Sequence, residues 1–134
     1  MIIVLDSNAA IEIILKRKNS MVFKELLQAS EKTVSSEFYR IEVANVIKKY
    51  YFGKFINKSE GTKILEMAEN LIDEFVPIKE NRLEALNEAL RLNYPAYDML
   101  YFTLARSRGA TLLTLDRGLN LIAKKEGIDI APVE

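Results

Sequence analysis

Four consecutive apolar residues, Ile2-Ile3-Val4-Leu5, run straight into Asp6. Three β-branched side chains in succession favour an extended strand. An apolar run without alternation reads as a strand buried on both faces. Such a strand needs neighbours on its edges and helices above and below it. The rest of the chain offers both.

Amphipathic periodicity predicts helices over 7–16 (with Ser7 or Asn8 as cap), 20–29, 37–52, 57–71, 79–92, 96–108 and 117–126. Short apolar runs predict further strands over 32–35, 74–78, 111–115 and 128–131. Gly53, Gly109 and Gly127 stop helices, and Pro77 and Pro95 break the pattern. Strands alternating with helices imply βαβ crossovers. The expected class is therefore α/β, with a mainly parallel sheet covered by helices on both faces. With 134 residues, 49% of them hydrophobic, a single domain over 1–134 is expected. No apolar run is long enough to cross a bilayer, and no basic segment precedes the first strand. No membrane contact and a cytoplasmic location are the expectation.

Composition narrows the chemistry. The chain has no His and no Cys. A Ser-His-Asp triad, a thiolate nucleophile, a disulfide and a zinc site of the usual kind are all excluded. Hydrolysis by this chain would rest on carboxylates and a hard, oxygen-preferring metal ion.

Four acids stand where ordinary solvation explains them poorly. Asp6 ends the first strand, and Asp116 follows Leu112-Leu113-Thr114-Leu115 in the same way. In open parallel sheets, ligands bind beyond the carboxyl ends of the strands. The plain alternative is that each Asp caps the helix after it. Glu42 lies in the nearly all-apolar Ile41-Glu42-Val43-Ala44-Asn45-Val46-Ile47. A carboxylate buried there needs a partner, a proton or a metal ion. Its alternative is a solvent-facing Glu, or one paired with Lys49 or Arg40. Asp98 falls in the first turn of a helix, where the dipole favours an anion. Convergence of the four would be electrostatically costly, and one or two Mg²⁺ or Mn²⁺ ions would reverse the balance. Ions of this kind activate water and stabilise charge on a scissile phosphate.

These residues resemble a known family. Val4-Leu5-Asp6-Ser7-Asn8, Glu42-Val43-Ala44-Asn45, Tyr97-Asp98-Met99-Leu100-Tyr101 with Leu104-Ala105, and Leu113-Thr114-Leu115-Asp116 with Leu119 and Gly127 are similar, in order and spacing, to the four motifs of the PIN domain. Within that family they look like the VapC-type toxins of prokaryotic toxin–antitoxin pairs. The resemblance implies a three-layer α/β/α sandwich and a Mg²⁺- or Mn²⁺-dependent ribonuclease. It implies Asp6, Glu42, Asp98 and Asp116 as the acidic, metal-holding catalytic site, with Ser7, Asn8 and Thr114 as polar helpers. It further implies a homodimer and a VapB-like antitoxin whose C-terminal segment covers the site. One departure stands out. Some members carry a second Asp two residues after the fourth acid, where this chain has Gly118. One firmly bound ion is therefore expected rather than two.

An RNA substrate, expected to be tRNA or rRNA, calls for positive charge around the acids. Arg117 directly follows Asp116 and is the strongest individual candidate. Lys16-Arg17-Lys18, Lys48-Lys49, Arg106 with Arg108, and Lys124-Lys125 are the other segments. Tyr50-Tyr51-Phe52-Gly53-Lys54-Phe55 groups four aromatics at a helix end, for the core or for a partner. Three rival readings remain: a non-catalytic PIN-like binding module, a DNA- or flap-directed nuclease of the wider superfamily, and a receiver-type signalling domain. The receiver requires a phosphate-accepting Asp at a middle strand end, and Val34-Ser35-Ser36 has none.

Overall fold

The computed structural model describes residues 1–134. Its sheet has four strands, β1 (Ile2–Leu5), β2 (Lys32–Ser36), β3 (Glu74–Val76) and β4 (Thr111–Leu113), in the order β3-β2-β1-β4. Every pairing is parallel: Val4 lies opposite Val34 on one side and Leu112 on the other. The apolar run Ile3-Val4-Leu5 is fully buried at the centre, as its lack of alternation predicts.

Seven helices flank the sheet: α1 (Ser7–Ile14), α2 (Ser20–Ala29), α3 (Phe38–Phe52), α4 (Lys58–Asn70), α5 (Ile78–Leu92), α6 (Ala96–Arg108) and α7 (Arg117–Lys125). Helix α1 packs with α2, α3 and α4, while α5 packs on α6, which lies against β1, β2 and β4. The architecture is the three-layer α/β/α sandwich. Local chemistry explains the boundaries. Asn57 and Glu60 form a reciprocal capping box at the start of α4. Asn93 and Gly109 end α5 and α6 in the left-handed region, at φ 53° and 58°.

The structure corrects several expected boundaries. Strand β3 stops at Val76, because Pro77 has no N–H for the ladder and instead leads into α5. Strand β4 stops at Leu113, so Asp116 stands three residues beyond the strand end rather than on it. The expected strand over 128–131 shrinks to one bridge, Ile130 to Leu112. It sits at the sheet edge between the Gly127 turn (φ 80°) and Pro132, which leaves little chain free to pair. Helix α1 ends at Ile14, short of Lys16, which turns to φ 54°. Its cap is Asp6, not Ser7 or Asn8.

Candidate active site

Strand order rises from β1 through β2 to β3 on one side, and β4 lies on the other. The chain therefore changes direction between β1 and β4, which is where a doubly wound sheet opens a crevice at its carboxyl end. Asp6 stands at that point, and its N–H donates to Leu113 O at 3.2 Å across the two strands. Its side chain caps α1 by accepting from Ala9 N at 3.0 Å. Capping is thus real, and it does not exhaust the residue. Asp6 is only 4% exposed. Burial pushes its carboxyl up to about 8, and the charges of Glu42 and Asp98 add to the shift, against the opposing donors Thr114 and Ala9.

Glu42 projects from α3 towards the same crevice. Its Oε1 accepts from Ser7 Oγ at 2.7 Å and from Tyr101 OH at 2.6 Å. Neither cation considered from the sequence serves it. Arg40 instead binds Glu37 and Glu69 and lies 3.7 Å from the Phe75 ring centroid, and Lys49 makes no ion pair with it. Tyr101 is buried, and desolvation together with the negative charge of Glu42 and Asp6 keeps its phenol protonated well above the usual range.

Asp98 lies half-buried in the first turn of α6 and accepts no hydrogen bond from any side chain. Burial pushes its carboxyl up to about 6, with Asp116 and Glu42 contributing. Asp116 caps α7: its Oδ1 accepts from Leu119 N at 3.0 Å and from Tyr94 OH at 2.8 Å. The irregular segment after β4 is held by side chains. Asn8 Oδ1 accepts from Leu115 N, Thr114 Oγ1 accepts from Asp116 N, and Asn120 Nδ2 donates to Thr114 O. Thr114 is fully buried. The polar residues read from the sequence bond within this crevice: Ser7 to Glu42, and Asn8 and Thr114 to the backbone that leads into Asp116.

The four acids lie within electrostatic reach of one another through Asp98, which senses Asp116 and Glu42 and raises Asp6. None of the ion pairs of the molecule involves them. No three acidic side chains stand close enough to form a ready-made metal cage. Like charges explain the spacing: Asp6, Glu42 and Asp116 take neutral donors from the chain, and Asp98 stands without one. The donors around the crevice are all oxygens, carboxylate and hydroxyl, which suits Mg²⁺ or Mn²⁺. Tyr94 carries no signal in the sequence, and Tyr101 stands in the third motif with no role of its own. The one available signal is that Tyr101 lies three residues after Asp98, one helical turn along.

A family model described as the PIN domain matches residues 3–125, which is most of the chain. The chain belongs to the PIN domain family. No curated protein sequence matches it. Solved structures share the fold at low identity. The PAE2754 protein of Pyrobaculum aerophilum aligns with TM-score 0.71 and 19% identity, over 96% of this chain and 87% of that one. VapBC2 of Rickettsia felis, bound to a DNA fragment from its promoter, aligns with TM-score 0.69 and 16% identity over 100% of both chains. FitAB bound to the IR36 DNA fragment aligns with TM-score 0.65 and 17% identity, over 98% and 97%. Membership removes the receiver-type reading.

Around the acids of this PIN domain, the basic residues differ in availability. Arg117 is exposed at the start of α7 and lines a groove of about 860 Å³ with Asn120, Lys124 and the C-terminal residues. Arg108 and Arg106 are committed to Glu74 and Glu88, and Arg17 to the Tyr50 hydroxyl. Lys48 shares a hollow with Phe38, Ile41 and Glu42. Beside it Phe38 stacks on Tyr97 at 5.8 Å between centroids, and Tyr97 is half exposed next to Asp98. Of the aromatic segment, Phe52 and Phe55 are largely exposed, at 71% and 75%. Tyr50 packs against the core. No helix is long and apolar enough to cross a membrane.

Proposed function

We propose that this PIN domain is a Mg²⁺- or Mn²⁺-dependent endoribonuclease, the toxin of a VapBC-type toxin–antitoxin pair. The observation that carries the reading is that Asp6, Glu42, Asp98 and Asp116 lie within electrostatic reach of one another at the switch point of the sheet, with no basic partner. PIN domains are generally nucleases. A buried carboxylate pushed up to about 8 with no basic partner is costly to ionise, and a divalent cation offsets that cost.

Asp6, Asp98 and Asp116 would hold one cation, directly or through water, and Gly118 adds no acid for a second. When bound, such an ion activates water and stabilises charge on the scissile phosphate. The protein's own groups prepare the rest. Ser7 and Tyr101 orient Glu42, which would complete the shell of a bound cation or align a water. Thr114 and Asn8 hold the segment that presents Asp116. Arg117 and Lys48 would approach RNA phosphates. The Phe38–Tyr97 stack offers a face to unpaired bases, which favours exposed loops of tRNA or rRNA over duplex.

Two structural neighbours carry the paired names VapBC2 and FitAB, and each is bound to a DNA fragment. They support a VapB-like antitoxin for this chain. Exposed Phe52 and Phe55 suit a protein partner, either that antitoxin or a second subunit of a homodimer. A cytoplasmic site of action follows from an RNA substrate of this kind.

The test is cleavage of tRNA and rRNA fragments by purified protein in Mn²⁺ against EDTA. Cleavage should require the cation and fall to background in Asp6→Asn and in Asp98→Asn, both folded. Asn keeps the helix cap at position 6. Undiminished cleavage in EDTA, or by Asp6→Asn, would sink the reading. A binding module would bind the same RNA without cutting it.

A further inference from the structure

Gly118 is the second residue of α7, two residues beyond Asp116. A Cβ built there would overlap the Tyr94 hydroxyl oxygen and lie 3.2 Å and 3.3 Å from the ring atoms Cζ and Cε1. The position therefore has no room for a side chain while Tyr94 keeps its place. Tyr94 comes from the short connection between α5 and α6, and its hydroxyl donates to Asp116 Oδ1 at 2.8 Å. Leu119 N donates to the same oxygen at 3.0 Å. Both contacts fall on Oδ1, so Asp116 is fixed with Oδ2 taking no hydrogen bond from the protein.

The connection that carries Tyr94 also starts the helix of Asp98. Pro95 follows Tyr94, and its carbonyl accepts from Asp98 N at 3.1 Å and from Met99 N at 3.2 Å. One short stretch of backbone thus ties the third acid to the fourth.

We infer that Tyr94 is the positioning residue of Asp116, and that its phenol fills the place a side chain at position 118 would take. The inference rests on the reading of the four acids as a divalent-cation site and says how this chain completes it. A phenol at that place supplies a neutral donor, whereas a carboxylate there would supply a further negative charge. The site is thereby held to four acids, with Asp116 offering a single oxygen, and to one firmly bound ion.

Calorimetric titration with Mn²⁺, paired with thermal melts of the same samples, tests this. Tyr94→Phe keeps the ring and loses the hydroxyl. It should bind Mn²⁺ about ten-fold more weakly than the wild type, as removal of an outer-shell partner does elsewhere, and melt close to it. Gly118→Asp alone should melt lower, because its side chain and Tyr94 compete for one space. In a Tyr94→Ala background the same Gly118→Asp change should cost no stability and should bind a second Mn²⁺ or hold the first more tightly than Tyr94→Ala alone. Wild-type affinity in Tyr94→Phe would overturn the inference while leaving the metal site standing. Equal tolerance of Gly118→Asp in both backgrounds would overturn it as well. No saturable Mn²⁺ binding by the wild type would remove the metal site, and the inference with it.

Discussion

Glu74 and Asp6 are carboxylates at opposite ends of one parallel sheet, and the chain surrounds them in opposite ways. Glu74 opens β3. Lys32 Nζ lies 2.5 Å from its Oε1, and Arg108 reaches both oxygens at 3.1 Å and 2.7 Å. Those donors, Arg108 foremost, bring its carboxyl down to about 2. Asp6 follows β1 and meets only neutral donors, so burial takes its carboxyl up to about 8. Basic residues were available to the chain, which carries 19 of them. Excluding the four site acids leaves 15 acids against those 19 bases, a surplus of 19 − 15 = 4 positive charges. None of those bases forms an ion pair with Asp6, Glu42, Asp98 or Asp116. On the proposed reading, carboxylates left without protein cations would receive one from solution.

The contrast can be broken most forcefully at Asp6. In the metal-free protein, its raised value means that the folded state holds a proton that the unfolded state has lost. That stabilisation is full below about 4 and is lost as pH rises through about 8. Stability should therefore fall by about 1.4 kcal/mol per pH unit across that window, most visibly between pH 5 and 8. Asp98, raised to about 6, adds to the slope at its acidic end. Asp6→Asn should flatten most of the slope and melt above the wild type at pH 8. Chemical denaturation at several pH values in EDTA measures both; a wild-type slope that survives in Asp6→Asn would remove the contrast.

A smaller effect is expected at the other end. Arg108→Ala leaves Glu74 with Lys32 on a partly exposed surface, where solvent screens the pair. The loss should be about 0.5–1 kcal/mol, with no change in the slope between pH 5 and 8. An effect of Arg108→Ala on Mn²⁺ affinity would mean that the two regions are coupled.

Much of this arrangement was legible in the residues. The unbroken run before Asp6 announces a central strand and therefore a carboxylate at the sheet's ligand-binding end. The apolar neighbours of Glu42 announce a carboxylate that must be satisfied by something. What satisfies it was hidden, because Ser7 and Tyr101 lie 35 and 59 residues away in the chain. Periodicity reports which face of a helix is apolar and is silent on which distant hydroxyl meets which acid. The overlong β4 and the lost last strand have a related cause. Apolar character continues through Leu115 and Ile130, but backbone pairing there gives way to side-chain bonds from Asn8 and Thr114 and to the Gly127 turn. Gly118 was read as a missing acid; only the packed structure shows Tyr94 in its space.

The central claim is that the cation-free carboxylates await a divalent ion. The most direct test is the shift in melting temperature on adding Mn²⁺ at pH 8, wild type against Asp6→Asn. The wild type should rise by several degrees in a saturable way, because an ion that binds only the folded state stabilises it, and Asp6→Asn should not respond. An unresponsive wild type, or an equal rise in both proteins, would contradict the account.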